Sequence, residues 1–269
     1  MVNLSVFTTV TNPKERGDNW EDAIACYLDL ADELVVVDGN FTSKHPHDHG
    51  SLRIVDYKWP KEFSWEFIGQ QFQRGYEAST GDWVMHADLD FIFHENDHAR
   101  IRKALEDYPD APAVSFYKWQ FILPDRYNLK SRLVLAVNQK KYGDRIKFNG
   151  GGDLCQPTLD GNNLDLNMLP QAGIAFYNYE KLLKTEAQIK DDVERMARAW
   201  TRHFNDEHLG TSETAYSEWL HMAVGRFSKP HTKIPLEAHP KYIQETIKNL
   251  SPENWGYNGF GNLEVNGYV

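Results

Sequence analysis

Cysteine is scarce in this chain: two in 269 residues, Cys26 in a helix-like segment and Cys155 after a run of glycines, are too few for a disulfide framework. Free, buried thiols are expected. No apolar run reaches the roughly 18 residues needed to cross a bilayer, and no basic leader with an apolar stretch opens the sequence. These absences point to a cytoplasmic protein with no transmembrane segment. Positive charge is also short, the formal net charge being -10. That argues against nucleic acid or an anionic membrane as the main partner, leaving phosphate to be held through a metal or a local basic pocket. No glycine-rich turn follows the first strand, where Thr11-Asn12-Pro13-Lys14 stands instead, so a dinucleotide-dependent oxidoreductase is disfavoured.

What is present is the composition of a globular protein, 41% hydrophobic and 13% aromatic, long enough for a full core. Leu4 to Val10 reads as a β-branched strand. Asp18 or Asn19 caps a helix whose Trp20, Ala23, Ile24, Tyr27 and Ala31 recur at helical spacing. Leu34 to Val37 is a continuous apolar run of the kind a buried parallel strand shows, and Arg53 to Tyr57 a weaker strand. A helix opens at Ser64 and closes at Gly81, and a further strand carries the chain from Trp83 to Phe91. This β-α-β-α-β order implies an α/β sandwich with a mostly parallel sheet, in which ligands gather beyond the carboxyl ends of the strands. Further on, a helix is expected over Asp97 to Tyr108, strands over Ala113 to Leu123 and Ser131 to Val137, and a long helix over Tyr179 to Phe204. Shorter helices at Ser217 to Phe227 and Lys241 to Leu250 complete a helical C-terminal part.

The densest chemical signal is Asp88-Leu89-Asp90, which ends the apolar run Trp83-Val84-Met85-His86-Ala87. On an extended strand Asp88 and Asp90 share a face with His86, about 6–7 Å apart. Two desolvated carboxylates so close need a cation or must take up a proton. Hard oxygen donors suit manganese or magnesium, which leave coordination sites for phosphate oxygens. The plain alternative is a pair that merely ends the strand.

Three ordered blocks carry a family resemblance. The strand end Thr8-Thr9-Val10-Thr11-Asn12, the segment Val35 to Ser43 containing Asp38, and Gly75 to Asp90 resemble the successive blocks of family 2 glycosyltransferases with the GT-A fold, with weaker similarity to about residue 185. The resemblance implies a GT-A nucleotide-binding domain over 1–185, a helical C-terminal extension over 186–269, and a nucleotide-sugar donor. It places the donor's base and ribose near Thr8, Thr9, Asn12 and Asp38, further contacts at Gln73 and Arg74, and a divalent metal on Asp88 and Asp90 against the diphosphate. It also implies transfer with inversion to a hydroxyl of a glycan or other acceptor.

Inversion needs a base for the acceptor proton. Asp153, after Asn149-Gly150-Gly151-Gly152, is the chosen residue, because glycines let backbone approach a bulky sugar closely; Asp160 and Asp165 are the fallbacks. The resemblance further implies a late histidine, His231 or His239, as a third metal ligand or diphosphate contact. His45, His47 and His49 form an alternating cluster that could bind a transition metal, and Trp59, Trp65, Tyr117 and Trp119 could stack on a sugar, although polar loop and core are the plain readings. Two other classes compete. One is a metal-dependent phosphatase with a nucleophilic Asp, which usually carries its acid pair on the first strand and not after two strand-helix units. The other is a non-catalytic nucleotide-sugar or glycan-binding protein.

Overall fold

The computed structural model describes residues 2–40, 50–60, 62, 64–227 and 231–257. The histidine cluster at 45–49 and the Phe41 to Ser43 end of the second block lie outside the described residues.

The chain order is β1 (Leu4–Thr11), α1 (Pro13–Arg16), α2 (Trp20–Leu30), β2 (Glu33–Asn40), β3 (Leu52–Asp56), α3 (Trp65–Ala78), β4 (Trp83–His86), β5 (Phe91–Ile92) and α4 (His98–Asp107). There follow β6 (Ala113–Leu123), β7 (Arg126–Val137), α5 (Gln139–Tyr142), β8 (Ile146–Gly150), β9 (Gln156–Leu159), β10 (Asn162–Asn163) and β11 (Gln171–Asn178). The C-terminal part holds α6 (Glu186–Phe204), α7 (Ala215–Phe227), β12 (Thr232–Lys233) and α8 (Lys241–Lys248).

The main sheet runs β3-β2-β1-β4-β7-β6-β11-β5. Its first four strands are parallel, as the buried apolar runs of β1 and β2 require. Beyond them β7 pairs antiparallel with β4 and β6, and β11 restores a parallel pairing with β6. The architecture is the α/β sandwich expected. Strand alternation splits β1 between two cores: Leu4, Val6 and Val10 pack with α2, α4 and α8, whereas Phe7 packs with α3, Ile146 and Phe148. The small sheet β10-β9-β8 lies on that second side.

Several boundaries differ from expectation: β7 starts at Arg126 and not at Ser131, α3 ends at Ala78 and not at Gly81, and two further shifts bear on the site. The strand carrying the acid pair ends at His86, and Asp88 to Phe91 form a turn instead of extending, with the Phe91 amide donating to the Asp88 carbonyl at 2.9 Å. The long helix expected from Tyr179 begins at Glu186, because Thr185 and Gln188 form a reciprocal capping box there. Gln171 to Asn178, unassigned by pattern, is the interior strand β11.

Candidate active site

Two cavities open where β1 and β4 end. The larger, about 870 Å³, is lined by Thr9 and Thr11 of β1, His86 and Asp88, Asp153, and the aromatic rings Trp59, Trp65, Phe72, Phe91 and Phe148. The smaller, about 220 Å³, is lined by Thr9, Arg16, Asp18, Asp88, Asp90 and a group from the segment before α6, Glu180, Lys181 and Lys184. Asp88 faces both cavities and Asp90 only the smaller one.

The acid pair is held by a turn whose backbone is anchored from behind. Tyr27, fully buried on α2, shares its hydroxyl proton between the carbonyls of Asp88 (2.5 Å) and Phe91 (2.6 Å). Asn178, the last residue of β11, donates from Nδ2 to Asp90 Oδ2 at 2.7 Å, and the Tyr179 amide donates to the Asp90 carbonyl at 2.9 Å. His86, lying against Phe72 with ring centroids 3.9 Å apart, places Nε2 at 3.0 Å from Asp88 Oδ1.

Burial opposes ionisation of both acids. Asp88 is nevertheless held below the usual carboxylate range, because His86 beside it, with help from Lys118, outweighs that cost. Asp90 is pushed up to about 7 by burial and by the charge of Asp88, with Glu180 adding to the repulsion. A pair that retains a proton near neutrality lacks a counter-cation. Among the described residues no group of three or more His, Cys, Asp or Glu side chains is arranged to hold an ion. A manganese or magnesium ion therefore fits only with one or two carboxylates and phosphate oxygens completing its shell, a common mode for these ions.

Asp153 lies in the turn after β8, where Gly151 adopts φ +72° and Leu154 φ +53°. The turn is pinned on both sides. The Gly151 amide donates to Asn163 Oδ1 at 2.9 Å, and Gly69 of α3 sits so close that an added Cβ would come within 2.3 Å of the Leu154 carbonyl oxygen. Asp153 Oδ1 is buried, and its one polar neighbour among the described residues is the Cys155 thiol, a weak donor, which leaves the carboxylate with acceptor capacity facing the cleft. Burial and the neighbouring Asp153 also push the Cys155 thiol up, so it stays protonated.

Other residues singled out by sequence go elsewhere. Alternation along β1 turns Thr9 and Thr11 to the cleft and Thr8 into the α2 core, fully buried. Asn12 is the left-handed residue before α1 (φ 42°), and Asp38 is half-buried at the end of β2; neither lines either cavity. Gln73 is consumed structurally, accepting from the Phe148 amide and donating to Glu77. Arg74 is exposed over the Tyr57 ring and pairs with Glu77 at 3.6 Å. Asp160 pairs with Arg145, and Asp165 caps its own turn at the Asn167 amide. His239 is no metal ligand: it is fully buried, with Nδ1 receiving the Tyr179 hydroxyl and Nε2 donating to the Pro124 carbonyl, both at 2.7 Å. His231 is exposed beside Arg126 and lines neither cavity. Of the four aromatics, Trp59 and Trp65 line the larger cavity. Trp119 stacks on Tyr127, and the Tyr117 hydroxyl donates to Gln171.

Pattern reading missed an ion cluster that lines the smaller cavity. Asp192 of α6, 6% exposed, faces Lys184 at 2.8 Å, Lys181 at 3.1 Å, Arg16 at 3.5 Å and Arg195. Asp18 adds bonds to Lys184 (2.5 Å) and Arg16 (2.9 Å). Burial disfavours the Asp192 carboxylate, yet the surrounding cations hold it well below the usual range. Arg195, by contrast, is lowered by burial and by Arg16, as follows when several cations share one carboxylate. The available signal was a charged residue on the apolar stripe of α6.

No family model matches the chain and no curated protein matches it. Solved structures do. The chain is similar to Staphylococcus aureus TarS 1-349 at 10% identity, over 83% of this chain and 72% of that one, with a TM-score of 0.45. The same protein in complex with UDP matches at 11% identity over the same shares, with a TM-score of 0.42. The mannosyltransferase PcManGT from Pyrobaculum calidifontis, in complex with GDP-Man and Mn2+, matches at 14% identity over 82% of this chain and 70% of that one, with a TM-score of 0.43. The parallel order β3-β2-β1-β4 leaves the acid pair directly after β4, at the carboxyl ends of the strands where pattern expects ligands to gather. At identities of 10–14% and TM-scores below 0.5 this likeness assigns neither donor nor acceptor.

Proposed function

We propose that this chain is a metal-dependent glycosyltransferase that moves a sugar from a nucleoside-diphosphate donor to a hydroxyl of a glycan or other acceptor, with inversion. The observation that carries the reading is the single cavity onto which Asp88, cation-deficient with Asp90, and Asp153, whose only close polar neighbour among the described residues is the weak Cys155 donor, both open.

Asp88 and Asp90 would hold manganese or magnesium, whose chemistry when bound is to offset charge on the departing diphosphate. Tyr27 and Asn178 keep both carboxylates aimed. Arg16 and Arg195, fixed by Asp18 and Asp192, supply charge-assisted donors at the same end of the cleft. Asp153 takes the acceptor's proton on Oδ1 as the hydroxyl attacks. Trp65, Phe72 and Phe148 form apolar wall that limits water, the competing nucleophile. The extension 186–269 works with the 1–185 domain as one unit, because α6 contributes Arg195 to the cleft.

The test is a panel of nucleotide sugars and acceptors with manganese. Release of nucleoside diphosphate, abolished by a chelator and by Asp90→Asn, is expected. Asp153→Asn should lower transfer by roughly a hundredfold while donor affinity changes little. Phosphate release from simple monoesters, or binding without turnover, would overturn the proposal.

A further inference from the structure

The larger cavity is furnished with arginine and, among the described residues, not with lysine. Of the chain's 12 arginines, Arg16, Arg132, Arg195, Arg198 and Arg202 line the larger cavity; of its 17 lysines, none among the described residues does. Lysine is a mobile point charge, whereas guanidinium presents a planar fork that matches carboxylate and phosphate oxygens. In a chain of net charge -10 this selection marks an oxyanion site.

Arg16 and Arg195 belong to the acid-pair end, tied there by Asp18 and Asp192, and match a donor diphosphate. Arg132 is set differently. It lies on β7 four residues before Ala136, the partner of Met85, and so beyond the point where β4 ends. Its Nη1 donates to the Ser115 hydroxyl and its Nη2 to the Leu166 carbonyl, each at 3.1 Å. Both partners are neutral, so the guanidinium is held in place with its charge uncompensated by any of its hydrogen-bond partners. A half-buried cation of this kind, in a cavity shared with Asp153, favours a negatively charged guest.

We infer that one of the two sugars joined here is acidic and that Arg132 binds its carboxylate or phosphate. The inference rests on the glycosyltransferase reading and extends it to a substrate class. The oxyanion belongs either to the transferred sugar or to the acceptor, and the assay separates these sources.

One arm compares a hexose with the matching hexuronate on the same nucleoside diphosphate. The other compares a neutral oligosaccharide acceptor with uronate-bearing and glycerol-phosphate-bearing counterparts. In one arm the charged partner should show a KM lower by roughly tenfold or more, an advantage that shrinks as salt is raised. Arg132→Gln should bring the neutral-to-charged KM ratio towards one in that arm. The wild-type ratio and its salt dependence stand as tests even if that variant folds poorly. Equal KM values in both arms, with donor turnover intact, overturn the acidic-sugar inference and leave the glycosyltransferase reading standing. Absence of turnover with every nucleotide sugar overturns both.

Discussion

Replacing Asp192 with asparagine removes one negative charge and almost no volume from the most enclosed ion cluster among the described residues. Asp192 and Lys184 are 6% and 5% exposed, and Asp192 also faces Lys181, Arg16 and Arg195. The variant leaves four cations around Asp18 alone. Breaking a buried pair in this way costs about 3–5 kcal/mol, because the stranded charges stay desolvated. For a chain of this size, where each kcal/mol moves the midpoint by roughly 2–4 °C, a fall of about 6–20 °C is expected in thermal unfolding. The pH dependence provides a second check. Asp192 is depressed below its unfolded value near 3.9, so its contribution is complete above that value and disappears as pH falls through the lower folded one. The gap between wild type and Asp192→Asn should thus be constant above about pH 5 and narrow below about pH 4. Arg16 and Arg195 also lose their anchor, so KM for donor should rise. An Asp192→Asn protein melting within about 2 °C of wild type would refute the argument.

Other perturbations test separate links. Burial holds the His239 imidazole down at about 4, against 6.5 when unfolded, so its share of stability is present above pH 6.5 and lost towards pH 4, about 3 kcal/mol in all. Denaturant titrations at pH 7 and 4.5 should show His239→Gln losing less on acidification than wild type, and parallel losses would contradict this. Tyr27→Phe keeps the buried ring but strands the Asp88 and Phe91 carbonyls, at about 1–3 kcal/mol. It should raise the manganese concentration needed for half-activation, and an unaltered metal titration would rule out its positioning role. Gly69→Ala drives a methyl into the Leu154 and Phe148 carbonyls, with a cost of about 1–3 kcal/mol and displacement of the Asp153 turn. Unchanged melting and transfer would show that α3 can yield there.

The α/β alternation, the parallel half of the sheet and the acid pair at a strand end were legible in the sequence, because hydrophobic period, caps and apolar run length are local properties of the chain. Tertiary structure decided which polar residues reach the cleft. Thr9 faces it and Thr8 does not, because β1 is packed on both faces and only assembly of the sheet says which face meets α3. Gln73 and Arg74 looked like donor contacts until β8 and Tyr57 came to lie beside α3. Asp192 and Arg16 stand 176 residues apart in the chain, and Arg132 and Leu166 stand 34 apart. No periodicity encodes such pairs: the chain determines each element's faces, and only packing determines which charges those faces bring together.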